Sequence, residues 1–169
     1  MKLYLLIFGG LLFFSQLSHS QTNAKPGPYK ATHEGWLVNL DEAYALSKKT
    51  GKPILANFTG SDWCGWCKRL SAAVFVKDEF KTWAKKNVIL LELDFPRSFS
   101  IPDNIRTQNA NLQQSFGVRG YPTVYLFDIE KDKKTNQYSF NALGKTGYTP
   151  TSKEFTDGVN EMLSKRKKS

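Results

Sequence analysis

The chain has 169 residues, a length that suits one domain of ordinary size. Hydrophobic residues make up 40% of it and aromatic residues 14%, which excludes an intrinsically disordered chain because disorder requires fewer apolar residues. The formal net charge of +9 comes with scattered lysines and no recognisable nucleic-acid-binding motif. We therefore prefer a solvated basic surface and expect no nucleic-acid partner.

The N-terminus is typical of a secretory signal. Lys2 is followed by an unbroken apolar or glycine run over residues 3–14, and small residues follow at Ser18 and Ser20. The run is shorter than the roughly 20 residues of a membrane span, although an uncleaved anchor is the alternative. We expect residues 1–20 to be a signal peptide cleaved after Ser20. The mature protein is then periplasmic or secreted, where disulfides persist.

Residues 21–35 contain two prolines and no apolar periodicity, which predicts a flexible lead-in to a domain over residues 36–169. In that domain, compact apolar runs indicate strands, and apolar residues at helical spacing indicate helices. In chain order the predicted elements are an edge strand over 36–40, a helix over 39–52, a strand over 53–59, helices over 63–76 and 78–87, a strand over 88–94, a long connection over 95–108, a helix over 109–117, strands over 123–128 and 138–144 joined by a charged loop, and a helix over 149–168.

This order of elements predicts an α/β fold. Buried parallel strands joined by helices and closed by a hairpin form a central mixed β-sheet with helices on both faces. Capping residues support the helix boundaries: Asn39 or Asp41 can cap the first helix, and Thr151 with Glu154 has capping-box spacing before the last helix.

Cys64 and Cys67 are the only two cysteines of the chain. If the two cysteines formed a purely structural disulfide, it would close a very small loop across two intervening residues. Such a bond would contribute only about 2 kcal/mol to the free energy of unfolding. Structural zinc requires four ligands, but the mature chain adds only His33, which lies in the predicted lead-in and is expected to be a surface residue. No metal site is therefore predicted, and the spacing favours a redox centre.

The predicted position of Cys64 suits a nucleophile, because a strand ends and a helix begins there. Unpaired N–H groups and the helix dipole lower the pKa of a thiol at such a place, and the thiolate is the nucleophile in disulfide exchange. Cys67 lies one helical turn further on the same face. It can attack a mixed disulfide formed at Cys64 and release the partner. The neighbouring Lys68 and Arg69 are expected to be solvated.

The segment "NFTGSDWCGWCKRL" resembles the active site of the thioredoxin superfamily, in which an apolar strand precedes Trp-Cys-x-x-Cys-Lys. A second segment, "FGVRGYPTVYLF" over residues 116–127, is similar to the stretch that supplies a cis-proline facing the dithiol in that superfamily. The resemblance covers about residues 36–163 and is greatest to secreted bacterial thioredoxin-like proteins. It implies a thioredoxin-like fold and a cis bond between Tyr121 and Pro122.

The resemblance also implies a thiol–disulfide oxidoreductase that needs no cofactor beyond its own cysteine pair. Its partners would be proteins with cysteines or disulfides and a membrane redox protein, and the protein is expected to be a monomer. The implied substrate-binding residues are Trp63, Trp66, Tyr121 and Pro122. The backbone of Tyr121 can pair with an extended substrate. Trp66 is either an exposed platform for substrate or packs against the 95–108 connection.

Two positions depart from the superfamily. Asn57 and Leu90 stand where thioredoxins keep a buried aspartate and a lysine. An asparagine cannot relay protons, so the reaction of Cys67 needs water or another base. The alternative function is a thioredoxin-fold module that binds peptides through Pro122 and the aromatic residues while its cysteines stay oxidised.

Overall fold

The computed structural model describes residues 29–166. The predicted signal peptide, its cleavage site and residues 21–28 of the predicted lead-in lie outside the described residues. The elements within this part of the chain are α1 (Leu40–Thr50), β1 (Ile54–Thr59), α2 (Gly65–Leu70), α3 (Asp78–Asn87), β2 (Ile89–Asp94), α4 (Asp103–Ser115), β3 (Thr123–Lys131), β4 (Tyr138–Thr146) and α5 (Ser152–Ser164). A π-helical segment, Ser71–Phe75, directly follows α2.

The four strands form one mixed sheet in the order β2-β1-β3-β4. β1 is parallel to β2 and antiparallel to β3, and β3 and β4 form an antiparallel hairpin. All six residues of β1 are buried, because helices cover both faces of the sheet. One face packs on the π-helical segment, α3 and α5, and the other packs on α1 and α4. The predicted mixed sheet with helices on both faces is confirmed.

Capping residues place the first and last helices. The side chain of Asn39 accepts a hydrogen bond from the backbone N–H of Glu42 at 3.1 Å, which makes Asn39 rather than Asp41 the cap of α1. The Thr151 hydroxyl accepts from the backbone N–H of Glu154 at 3.2 Å, as the predicted spacing requires. Both helix starts are thus stabilised by local contacts that are visible in the sequence.

Several predicted boundaries were wrong. The edge strand over 36–40 is only an isolated bridge between Leu37 and Leu91, because α1 already begins at Leu40. The long connection ends at Pro102, and α4 begins at Asp103 rather than at residue 109. Burial explains this start: Ile105 and Asn109 lie four residues apart and are both buried, so a helix beginning at Asp103 presents them to the core.

The described part of the predicted lead-in is attached to the domain. The backbone N–H and the hydroxyl of Thr32 both donate to Glu92 Oε1, at 2.8 and 3.0 Å. His33 Nε2 lies 2.8 Å from the Ser71 hydroxyl, and His33 is only partly exposed rather than a surface residue. The physical reason is that Glu92 is buried and requires hydrogen-bond donors, which this segment supplies. Within residues 29–166 no helix is long and apolar enough to span a membrane.

Candidate active site

A disulfide joins Cys64 and Cys67, whose Cα atoms are 5.2 Å apart. The pair follows β1, where the chain leaves the carboxyl end of a buried strand. Cys64 is the N-cap residue of α2, and its sulfur accepts a hydrogen bond from the backbone N–H of Cys67 at 3.2 Å. Both cysteines are almost completely buried in this oxidised state, with 6% and 5% of their surface exposed. The two predicted redox residues are therefore brought together.

Two acidic side chains hold the loop that carries the disulfide. Asp94, at the end of β2, accepts hydrogen bonds from the backbone N–H and the hydroxyl of Ser61, at 2.8 and 2.6 Å. Asp62 accepts from the backbone N–H groups of Arg97 and Ser98 and from the Ser98 hydroxyl. The Ser98 hydroxyl and these backbone groups lower the pKa of Asp62 to about 2. The loop is thereby fastened to β2 and to the 95–102 connection.

Trp63 immediately precedes Cys64 and packs on the segments next to the redox loop. Its Nε1–H donates to the backbone carbonyl of Phe95 at 2.9 Å. The Arg97 guanidinium carbon lies 3.7 Å from the centre of the Trp63 ring system, a cation–π contact. The ring also meets Tyr121 edge to face, with centroids 5.8 Å apart. Trp63 thus connects the redox loop, the 95–102 connection and the residue before Pro122.

Trp66, between the two cysteines, is 53% exposed. Its ring packs on Tyr148, with centroids 5.0 Å apart, and the Arg69 guanidinium carbon lies 4.6 Å from the Trp66 ring centre. These contacts are made with residues outside the 95–108 connection. Arg69 is exposed, as expected, and its guanidinium also covers part of this ring. The structure therefore favours the exposed-platform interpretation of Trp66.

The peptide bond between Tyr121 and Pro122 is cis. Thr123, the next residue, pairs with Phe58 in the register of β1 and β3, so Pro122 lies at the end of β1 that leads to the disulfide. The Tyr121 hydroxyl accepts a hydrogen bond from Gln113 Nε2 at 2.6 Å, and burial raises the pKa of Tyr121. The sequence-predicted residues Trp63 and Tyr121 are thus in contact, next to Pro122.

A buried carboxyl group lies behind Cys67. Glu92 is 3% exposed and is the register partner of Asn57 on the neighbouring parallel strand. Burial raises the pKa of Glu92 and the charge of Asp94 acts in the same direction, whereas the hydrogen bonds from Thr32 oppose the shift. Cys67, Asn57 and Glu92 line one cavity of about 140 Å³.

The sequence analysis missed Glu92. Its signal was a single acidic residue inside the apolar run "VILLELD", where a charge is unexpected in a buried strand. Leu90, the position compared with the thioredoxin lysine, packs against the hydrophobic core instead. Among residues 29–166, no cluster of three or more His, Cys, Asp or Glu side chains is arranged to hold a metal ion.

Comparisons with known proteins agree with this geometry. Residues 35–128 match the family model described as thioredoxin-like. The disulfide bond reductase DsbH of Chlamydia pneumoniae is 34% identical over 121 residues, which are 72% of each chain. The thioredoxin-related protein DsbJ of the same organism is 29% identical over 96 residues, which are 57% of this chain but only 28% of DsbJ. A solved structure of a DsbH oxidoreductase superposes with a TM-score of 0.65 at 26% identity, covering 85% of this chain and 97% of the other.

A Cys-x-x-Cys disulfide at the end of a central strand, on a mixed sheet covered by helices, is the arrangement of a thiol–disulfide oxidoreductase. The relatives carry names that state the same chemistry. The chain belongs to the thioredoxin-like family. The predicted fold class and the predicted class of enzyme are both confirmed.

Proposed function

We propose that this protein reduces disulfide bonds in other proteins outside the cytosol. The observation that carries the proposal is the disulfide between Cys64 and Cys67, with the exposed Trp66 between the two cysteines in sequence and the Tyr121–Pro122 bond at the same end of β1. The reducing direction is supported by the relative named disulfide bond reductase, which is 34% identical over 72% of each chain. The dithiol itself supplies the electrons, so the reaction needs no further cofactor.

In the proposed reaction Cys64 is the attacking residue. In the reduced protein its thiolate attacks one sulfur of a substrate disulfide, that bond breaks, and a mixed disulfide forms at Cys64. The Cys67 thiolate then attacks Cys64 Sγ, the bond to the substrate breaks, and the substrate leaves with two thiols and two electrons. The N–H of Cys67 points at Cys64 Sγ, where it stabilises a negative charge on that sulfur.

The proposed substrate surface consists of Trp63, Trp66, Tyr121 and Pro122. Trp66 offers an exposed ring that Tyr148 and Arg69 hold in place. Pro122 has no N–H, and the backbone of Tyr121 can pair with an extended segment of the substrate. Trp63 contributes by holding Tyr121 beside the redox loop. Recognition by backbone pairing and an aromatic contact suits many cysteine-containing proteins.

The proposal also includes how the protein leaves the cytosol and how its disulfide is reduced again. Residues 1–20 direct the chain out of the cytosol and are removed after Ser20, and a membrane redox protein reduces the Cys64–Cys67 disulfide again. The periplasmic or secreted protein acts as a monomer. The mass of the exported protein tests the cleavage, since the expected chain begins at Gln21. An exported protein that retains residues 1–20 would instead support an uncleaved anchor.

Insulin reduction by dithiothreitol tests the redox activity. Wild-type protein should accelerate the precipitation of reduced insulin chains, whereas Cys64→Ser and Cys67→Ser should not. Ser139→Ala, which removes an exposed hydroxyl on β4 and leaves both cysteines in place, is the matched control. A wild type no faster than Cys64→Ser would support the alternative function, a peptide-binding module whose cysteines stay oxidised.

A trapping experiment identifies substrates and tests the order of attack. Cys67→Ser protein should accumulate mixed disulfides at Cys64 when it is exposed to oxidised periplasmic proteins, because the resolving thiol is missing. Cys64→Ser protein is the control and should accumulate far fewer. Equal trapping by both variants would contradict the assignment of the two cysteines.

A further inference from the structure

The cavity behind the disulfide has room for water. Its volume of about 140 Å³ far exceeds the roughly 10–15 Å³ that one water molecule needs. Polar groups from four parts of the fold line it together with Cys67: Asn57 from β1, Glu92 from β2, Ser71 from the π-helical segment, and Thr32 and His33 from the segment before α1. A cavity with polar walls on several sides suits ordered water.

One buried acceptor in this cavity needs a donor. Asn57 is 5% exposed, and its Oδ1 has no hydrogen-bond partner among the described residues. The two bonds that Thr32 makes to Glu92 both reach Oε1, so Oε2 receives neither of them. Buried acceptors are almost always satisfied, by water where no protein donor is present. A water molecule that satisfied Asn57 Oδ1 would therefore stand in the same cavity as Glu92 and Cys67.

We propose that Glu92 is the proton acceptor for the Cys67 thiol, reached through water in this cavity and positioned by Thr32. The proposal rests on the proposed function and supplies its missing base, since Asn57 cannot accept the proton. Thr32 fixes one carboxylate oxygen, and the register of β1 and β2 places Glu92 beside Asn57.

Proton and electrons balance in each step. After Cys64 has formed the mixed disulfide, the Cys67 thiol gives its proton through water to the Glu92 carboxylate. The Cys67 thiolate attacks Cys64 Sγ, the new disulfide forms, and the substrate thiolate leaves and takes a proton from solvent. Glu92 returns its proton to water. Two electrons have passed from the two cysteines to the substrate disulfide.

The surroundings of Glu92 support this assignment. The titratable and charged groups that face it are Asp94 on the same strand, Tyr29 and His33 before α1, and Lys68 on α2. Burial raises the pKa of Glu92 toward that of a thiol, which improves a carboxylate as a general base. Burial also lowers the pKa of His33, so a neutral His33 is the rival acceptor that the experiment must separate.

The experiment follows the two phases in which reduced protein releases thionitrobenzoate from an aromatic disulfide reagent. The first phase reports attack by Cys64, and the second reports resolution by Cys67. In Glu92→Gln, which preserves shape, the second phase should be slower by about a hundredfold at pH 7, the lower end of what a general base contributes. The deficit should shrink as pH rises, because Cys67 then ionises without help. A purely structural defect would not disappear with pH.

Two further variants decide the assignment. The double variant Asn57→Asp with Glu92→Gln places a carboxyl group on the same cavity and should restore the fast second phase. His33→Gln should keep the wild-type pH profile. A wild-type profile in Glu92→Gln, or a slowed and pH-dependent second phase in His33→Gln, would overturn the proposal. A wild-type protein without any second phase would instead contradict the proposed function.

Discussion

Trp66 packs against Tyr148, with ring centroids 5.0 Å apart and ring planes inclined by 59°. The contact joins the residue between the two cysteines to the chain that connects β4 and α5. Both side chains remain substantially exposed, at 53% and 40%. An aromatic surface that is exposed and already held in position loses little conformational entropy when a substrate covers it.

Trp66→Ala should weaken the binding of protein substrates. The exposed ring is removed while both cysteines stay in place, so we expect KM for insulin to rise by about tenfold with little change in kcat. Tyr148→Ala should give a smaller change in the same direction, because Trp66 loses its support but remains present. Steady-state kinetics measure both. An unchanged KM in Trp66→Ala would remove this residue from the substrate surface.

Gly60→Ala should disturb the redox loop. A Cβ at position 60 would overlap the Trp63 ring, which is held by its one hydrogen bond to the Phe95 carbonyl and by its contact with Arg97. We expect a loss of about 1–3 kcal/mol in the free energy of unfolding, the usual cost of overpacking. Gly65→Ala is the matched control, because a Cβ there meets nothing within 4 Å. Denaturant unfolding measures both variants, and equal stabilities would show that Trp63 moves freely.

Asp62 should contribute to stability in a way that depends on pH. Its pKa is lowered from 3.8 to about 2 in the folded protein, chiefly by the Ser98 hydroxyl. The contribution is therefore present above the unfolded pKa near 3.8 and is lost as pH falls through about 2. The difference in Tm between wild type and Asp62→Asn should shrink over that range. A difference that stays constant between neutral and acid pH would argue against this ionic contribution.

In the reduced protein, Cys64 should react faster with iodoacetamide than Cys67. The start of α2 and the N–H of Cys67 stabilise the Cys64 thiolate, so its apparent pKa should lie below the roughly 8.5 of a free cysteine. Cys67 faces the cavity and is shielded. Mass spectrometry after brief labelling distinguishes the two sites. Faster labelling of Cys67 would reverse the order of attack.

The redox potential should be intermediate, roughly −250 to −180 mV, between thioredoxin near −270 mV and DsbA near −120 mV. The dipeptide between the cysteines is Gly65-Trp66, without the proline associated with the reducing end or the histidine associated with oxidising relatives. Equilibration with glutathione buffers measures the value. A potential at or below that of thioredoxin would contradict this expectation and would point to a dedicated reductase supplied by a membrane electron donor.

The redox centre was predictable because its signals are local. The spacing of Cys64 and Cys67, the apolar run before them and the glycine-proline stretch at 120–122 are all visible without distant contacts. Helix caps at Asn39 and Thr151 are likewise local hydrogen bonds.

The part that escaped prediction depends on pairs far apart in the chain. The role proposed for Glu92 depends on its hydrogen bonds from Thr32, 60 residues earlier, and on its register with Asn57. The contact between Trp66 and Tyr148 joins two segments that are distant in the chain, and no sequence pattern predicts it. The start of α4 at Asp103 was missed because proline and polar residues dominate its first turn, while the burial of Ile105 becomes apparent only in the packed fold.

The bonds from Thr32 to Glu92 bear on where the working unit of this protein begins. A shortened chain starting at Trp36 would retain every helix and strand of the sheet, yet it would lose the donors to Glu92 and the His33 side of the cavity. Bulk solvent would then reach the rear of the disulfide, and proton exchange there would no longer be confined. Given the role proposed for Glu92, we expect a minimal active fragment to include Thr32, although the helices and strands of the fold begin only at Leu40.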